Sequence, residues 1–187
     1  MKKIVLISTI LSFTLLNAAT IKQVKEEAQT AIVKLKTTLQ KQLKKNMKKG
    51  GPEQAATFCS TQAVGLTHAV NMSFANDTEI RRISLLERNS ENSPKSDERE
   101  VLQDMQKAYE SGKTLEPLIV KKIYDDTYKV YKPIFINKGV CLKCHGDITT
   151  RDKNAYKIIK HNYPKDKATG YKMGDLRGAF VVTIVMQ

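Results

Sequence analysis

Apolar positions in the first part of the chain repeat with the period of an α-helix. Between residues 21 and 49 they recur at spacings of three and four, at Val24, Ala28, Ile32, Leu35, Leu39, Leu43 and Met47. Gly50-Gly51-Pro52 follows, and glycine with proline ends a helical pattern. Because proline suits the first turn of a helix, we expect a second helix from Pro52 to about Val70.

Farther along, the pattern becomes mostly strand-like. The candidate strands are residues 80–86, 118–124, 127–136 and 178–186, and Asp125-Asp126 between the middle two predicts a hairpin. Residues 97–111 have helical spacing. Residues 89–96 and 147–175 carry Pro, Gly or Asn and are expected to be irregular. Helices followed by mostly adjacent strands predict an α+β domain with an antiparallel sheet.

The first 18 residues have the layout of a secretory signal peptide. Lys2 and Lys3 precede an apolar stretch of 13 residues from Ile4 to Leu16, and small residues end at Ala18. A bilayer span takes about 20 residues, so an uncleaved anchor is the second interpretation. Either one places the domain, residues 19–187, in the periplasm. Membrane association is expected only if the signal segment is retained, and the mature chain is otherwise expected to be soluble.

The chain is strongly basic. Its formal charge is +13, and removing Lys2 and Lys3 lowers it to +11. Much of the excess lies between residues 34 and 49. Such charge attracts acidic proteins, anionic lipid or nucleic acid, and export argues against nucleic acid. A solvated lysine face on a surface helix is the simpler interpretation, and we prefer it.

The sequence Cys141-Leu142-Lys143-Cys144-His145 is the attachment motif of a c-type haem. Each thiol adds to one vinyl group of the porphyrin, and two intervening residues let both sulfurs reach one edge of the ring. His145 then ligates the iron, and Gly146 lets the chain turn away from the ring. A thioredoxin-type redox motif would need a βαβ context, and a zinc site would need a second ligand pair. The sequence has neither, so we expect one haem c.

The third cysteine, Cys59, needs its own explanation because the other two are used by the motif. Candidates for the sixth iron ligand are Cys59, His68, His161, Met47, Met72, Met105 and Met173. On the second helix, Cys59 shares a face with Ala55, Ala56 and Ala63, which would let a flat porphyrin approach closely. His68 lies on the opposite face. An ordinary buried thiol remains an equal alternative for Cys59, and Met173 is the next candidate.

Many of these residues also occur together in a known family. The matching residues are Gly51-Pro52, Ala55-Ala56, Phe58-Cys59-Ser60, Arg81-Arg82-Ile83-Ser84, Arg88-Asn89, Lys132-Pro133-Ile134, Cys141 to Gly146, Tyr163-Pro164, Asp166, Ala168, Gly170-Tyr171, Gly174-Asp175 and Arg177-Gly178-Ala179. In these the chain resembles the PAS-like single-haem c-type domains, long catalogued as a domain of unknown function. Such domains occur alone or as the sensor input of histidine kinases and chemoreceptors.

The resemblance implies a PAS-like fold with a central antiparallel sheet and a long N-terminal helix. It also implies an iron ligated by His145 and by a cysteine that maps onto Cys59. Arg82, Arg177 and Tyr163 are expected to contact the haem, since guanidinium groups match its carboxylates. Neighbours in a strand point to opposite faces, so only one of Arg81 and Arg82 should reach it.

Three functions follow from these residues. We rank a haem-based redox or gas sensor that acts through a protein partner first. Its thiolate ligand would give the haem a low reduction potential, and Cys59 would dissociate from the iron on reduction. A soluble electron carrier is the alternative. A peroxidase-like enzyme ranks lowest, because no histidine is placed to serve as a distal base, and we expect no enzymatic activity. The chain has no kinase or methyl-accepting segment, which argues against direct transmembrane signalling.

Overall fold

Two glycines divide the first helix of the protein into two arms. The structure, a computed structural model, describes residues 5–75 and 77–186, with side chains from residue 20 onward. Helix α1 (Val5–Asn71) leaves helical geometry at Gly50 (φ −159°, ψ 29°) and Gly51 (φ 65°, ψ −155°). We call residues 5–49 the N-terminal arm and residues 52–71 the C-terminal arm. The break predicted at Gly50-Gly51-Pro52 is therefore confirmed.

The predicted signal peptide lies largely outside this description. Residues 1–4 and the side chains up to residue 19 are not included, so the leader and its cleavage after Ala18 stay predictions. Among the described residues, no helix combines the length and the apolar content that a membrane span needs.

Four antiparallel strands form the sheet, as expected from the sequence. They are β1 (Thr78–Ile83), β2 (Ile119–Lys122), β3 (Thr127–Phe135) and β4 (Leu176–Val185), in the spatial order β1-β4-β3-β2. The hairpin predicted around Asp125-Asp126 joins β2 to β3. The sheet, with the long N-terminal helix, gives the α+β, PAS-like architecture that the sequence predicts.

Each face of the sheet packs against a different helix. On one face the N-terminal arm of α1 contributes the buried residues Val24, Ala28, Ile32 and Leu35. On the other face helix α2 (Ser96–Glu110) contributes Val101, Leu102 and Met105. Strand β4 is central, so its side chains are buried on both faces. The consecutive residues Val181 and Val182 therefore belong to the hydrophobic clusters on opposite faces of the sheet.

The segment predicted to be irregular, residues 147–175, contains a helix, so that prediction is wrong. Helix α4 (Lys153–Asn162) begins at Asp152, whose carboxylate accepts a hydrogen bond of 2.8 Å from the Ala155 amide. Ala155 and Ile159, four residues apart, are buried. A short helix α3 (Gly139–His145) precedes it and carries the haem motif. Both helices are too short to be stable alone, so their formation depends on tertiary packing.

We expect Gly178→Ala to lower the free energy of unfolding by about 3 kcal/mol. Gly178 in β4 has φ 150°, and a Cβ there would lie 2.2 Å from the Ile83 carbonyl oxygen. Gly65→Ala is the matched control: it lies in α1 with open space around it, and should stabilise the helix by about 0.5–1 kcal/mol. Urea unfolding measures both, and equal stabilities of the two variants would contradict the close approach at Gly178.

Candidate haem site

His145 is held in one tautomer by a backbone carbonyl. Its Nδ1 lies 2.9 Å from the Ala168 oxygen, and a carbonyl can only accept a hydrogen bond. Nδ1 therefore carries the proton, and Nε2 keeps the lone pair that a metal needs. Burial and the neighbouring Arg177 and Arg88 also hold the pKa of His145 well below its usual range. Metal-ligating histidines are typically oriented by a second bond of this kind.

A strap of residues 166–171 lies against the end of α3 and fixes this geometry. The Tyr171 amide donates to the His145 carbonyl and the Gly170 amide donates to the Gly146 carbonyl, each at 3.0 Å. The Tyr171 ring stands edge-on to the imidazole, with ring centroids 6.2 Å apart. The strap therefore contacts both the backbone and the side chain of His145.

Arg88 joins the strap to the motif. Its Nη2 donates to the Cys144 carbonyl at 2.7 Å and to the Ala168 carbonyl at 3.1 Å. Its Nε donates to the buried Asp166 carboxylate at 3.2 Å, and that same oxygen accepts from the Ala168 amide. Arg88 is one of the residues that carry the family resemblance, but the sequence predicts no role for it. Its partners lie far away in sequence, so no local pattern marks it.

The two motif cysteines face different parts of the protein. Cys141 packs on the cluster of Ile136, Ala168 and Tyr171. Cys144 packs beside Ala56 and α4. Burial raises the pKa of its thiol to about 11, although the positive charge of Arg88 acts to lower that pKa. Both are half-buried free thiols.

Cys59 lies beside the motif, on the C-terminal arm of α1. Its side chain is exposed. Desolvation by the surrounding protein raises its pKa, and the charges of Arg82 and Arg88 oppose this shift. The Cys59 thiol is also among the charges that act on Cys144 and on Tyr163. The alternative of an ordinary buried thiol does not agree with this exposed position, and the role of Cys59 as a ligand stays a prediction.

The other ligand candidates lie elsewhere. His68 and His161 are exposed, near the ends of α1 and α4. Met105, on the inner face of α2, is buried in the core, whereas Met72 and Met173 are 85% and 52% exposed. Met47 is half-buried on the N-terminal arm.

The alanine face around Cys59 packs in part on α4. Ala56 is buried against Ala155 and Ile159, with Cys144 in the same cluster, and the close approach of a porphyrin to this face stays a prediction. Two hydrogen bonds also join the C-terminal arm of α1 to α4 and its C-terminal cap. Tyr163 Oη donates to the Ser60 carbonyl at 3.3 Å, and Asn154 Nδ2 donates to Glu53 Oε1 at 3.0 Å. Tyr163 is therefore beside Cys59.

Arg81 and Arg82 point to opposite faces of β1, as the strand pattern predicts. Arg81 forms an ion pair with Glu98 of α2, which also binds Lys129. Arg82 is turned toward Cys59 and Tyr163, and its buried Nε has no hydrogen-bond partner. An unpaired buried guanidinium fits the carboxylates of a haem, because those groups accept paired hydrogen bonds.

Arg177 is a second buried arginine near His145, and unlike Arg82 it has hydrogen-bond partners. Its Nη1 donates to Ser84 Oγ at 2.5 Å and to the Leu86 carbonyl at 3.2 Å, and the guanidinium lies 5.4 Å from the Tyr171 ring centroid. Burial lowers the pKa of both Arg82 and Arg177. A cavity of about 520 Å³ lies between Arg177, Tyr171 and α2, so an anionic group has space to reach Arg177.

Within the part of the chain that is described, no group of three or more His, Cys, Asp and Glu side chains is placed to hold a metal ion. What fits the iron of a haem is the Nε2 atom of His145, because its lone pair is free beside the two motif thiols.

Comparison with known proteins agrees with this fold. The profile of the Tll0287-like family matches residues 17–185. The chain belongs to this family. A crystal structure of the cyanobacterial heme-protein Tll0287 has the same fold, with a TM-score of 0.63 and 21% identity over 88% of this chain and 96% of that chain. No curated protein matches the sequence. Membership of the Tll0287-like family confirms the resemblance noted from the motifs.

In this Tll0287-like chain, we expect Arg88→Gln to cost about 3 kcal/mol of stability, because it leaves Asp166 buried without its cation. The control is Lys167→Gln, which removes an ion pair of 2.7 Å to Glu87 from a lysine whose side chain is 56% exposed. That change should cost less than about 1 kcal/mol. Urea denaturation compares the two, and an equal loss would contradict the structural role of Arg88.

Asp147, just after the motif, should titrate at unusually low pH. Hydrogen bonds from Thr149 and Thr150 lower its pKa to about 2. Because the folded pKa is depressed, the turn is stabilised above the unfolded value of about 3.9, and this contribution is lost as the pH falls toward 2. Carboxyl ¹³C NMR measures the titration. Thr150→Val should raise the Asp147 pKa, whereas Thr61→Val in α1 should leave it unchanged.

Proposed function

We propose that this protein is an exported, single-haem c-type protein that acts as a redox or small-ligand sensor. The haem is attached through Cys141 and Cys144, and its iron is ligated by His145 and Cys59. The observation that carries the proposal is the bond from His145 Nδ1 to the Ala168 carbonyl, which leaves Nε2 free within an attachment motif. The fold of a heme-protein and family membership support it.

A bound haem supplies a redox-active iron, and a thiolate ligand lowers its potential. The residues of this chain would orient the histidine ligand and neutralise the carboxylates of the haem. Ala168 fixes the imidazole, and Arg88 fixes the carbonyl of Ala168. Arg82 and Arg177 neutralise the haem carboxylates, with Tyr163 beside them.

The sensing role is supported by where the two proposed ligands lie. His145 lies at the end of α3, whereas Cys59 lies on the C-terminal arm of α1, beyond the break at Gly50 and Gly51. The N-terminal arm packs on the sheet, and the C-terminal arm packs on α4. Release of Cys59 would remove one tie between the C-terminal arm and the motif. A change of ligation would then be transmitted along α1 to a partner protein.

Electron transfer is the alternative function, in which His145 and Cys59 would both stay bound to the iron in both redox states. The proposal includes no enzymatic reaction, and a periplasmic location is proposed from the leader that the sequence predicts.

The decisive experiment is spectroscopy of the protein expressed in a periplasm that attaches haem c. The mass should rise by one haem, and Cys141→Ala with Cys144→Ala should abolish this rise. Cys59→Ala should remove the low-spin ferric signature of thiolate ligation. His68→Ala is the matched control, because His68 is an exposed candidate on the opposite face of the same helix, and its spectrum should be unchanged.

The redox states separate the sensor from the carrier. If Cys59 leaves on reduction, the ferrous protein should bind CO, and Cys59→Ala should bind it in the same way. A ferrous spectrum with unchanged thiolate ligation and no uptake of CO would contradict the switch and favour the carrier. A mature protein without haem absorption would contradict both.

A further inference from the structure

Exposed lysines occur on two elements that are hydrogen-bonded to each other near the proposed site. Lys45, Lys48 and Lys49 are exposed in the last turn of the N-terminal arm of α1, and Lys153 and Lys157 are exposed on α4. We call these five residues the lysine surface. Positions 154 and 157 are three apart on α4, so Lys157 lies on the same side as Asn154.

Hydrogen bonds hold these elements together. Asn154, next to Lys153, donates to Glu53 in the first turn of the C-terminal arm. Across the kink, Gln54 Nε2 donates to Asn46 Oδ1 at 3.3 Å, which fixes the end of the N-terminal arm beside that turn. Cys59 lies on the same arm, less than two turns after Glu53.

The positive charge of this surface is not neutralised by the protein. No ion pair involves any of the five lysines within the described part of the chain; the eight ion pairs found there use other cations. The carboxylates of Glu53 and Asp152 accept hydrogen bonds from Asn154 and from the first turn of α4, and their two negative charges leave the five lysines with a clear excess of positive charge. Between residues 28 and 52 the sequence contains no acidic residue.

The composition of the surface favours a protein over a membrane. Helices that bind a membrane surface place large apolar residues beside their lysines. Among the described residues, the exposed large apolar side chains are Val33, Met72, Leu86, Tyr124, Val140, Ile148, Met173 and Val185, all outside residues 45–57 and 153–157. A surface that offers charge without large apolar side chains can steer and orient a charged partner protein, and a brief encounter for electron transfer requires both.

We propose that the lysine surface docks an acidic electron-transfer protein close to Cys59. This inference rests on the proposed haem function, because it names the chemical class of its partner. In the encounter, the reduced cofactor of the partner would lose one electron and the ferric haem would gain it, so that one oxidation balances one reduction.

The test uses reduced plant-type [2Fe–2S] ferredoxin, an acidic protein, as the probe. Calorimetry measures its binding to the mature protein as isolated, and stopped-flow absorbance measures haem reduction. The site variant is Lys48→Glu with Lys153→Glu and Lys157→Glu. The control variant, with the same net charge, is Lys25→Glu with Lys113→Glu and Lys121→Glu, three exposed lysines on other parts of the surface.

The site variant should lower both the affinity and the rate by about tenfold or more at low salt, and added salt should remove the difference. The control variant should behave as the unmodified protein. Equal losses in both variants would overturn the proposal, since net charge alone would then explain them. Binding to anionic phosphatidylserine vesicles in place of ferredoxin would also overturn it. Binding without haem absorption would uphold the surface and contradict only the proposed haem function.

Discussion

Arg88 lies between two segments that are far apart in the chain, and its guanidinium bonds to both. It donates to the carbonyl of Cys144 in the motif, to the carbonyl of Ala168 in the strap and to the buried carboxylate of Asp166. Ala168 in turn accepts the proton of His145 Nδ1. The orientation of the imidazole therefore depends on one arginine that never contacts it through a hydrogen bond. A guanidinium suits this position because its donors are fixed in one plane.

Buried charges are balanced differently beneath α2 and around His145. Beneath α2, Arg81 and Lys129 face Asp97 and Glu98, so two cations meet two carboxylates. Around His145, the cations Arg82, Arg88 and Arg177 meet the carboxylate of Asp166. Buried charge is costly unless it is paired. The excess of positive charge around His145 fits a cofactor that brings its own carboxylates.

Helix α1 has two structural tasks, and the glycine pair separates them. Its N-terminal arm forms part of the core, with fully buried residues such as Val24 and Leu35. Its C-terminal arm packs on α4 and presents Cys59 to the site. Gly51 has a positive φ that other residues rarely adopt, so the angle between the arms is set by sequence. The two arms therefore pack against different parts of the protein, the sheet and α4.

The sequence by itself determined the elements with strong local signals. The break in α1, the four strands, the hairpin and helix α2 follow from periodicity, from Gly and Pro, and from the alternation of residues such as Arg81 and Arg82. The attachment motif is also local, because the chemistry of a haem requires its spacing. Only the tertiary structure decided the rest. Helix α4 forms because Ala155 and Ile159 are buried against Ala56, and Cys144 of α3 packs on the same cluster; short helices gain their stability from such contacts. The bonds of Arg88 and Tyr163 join residues with no periodic relation along the chain, so folding alone brings them to His145 and Cys59.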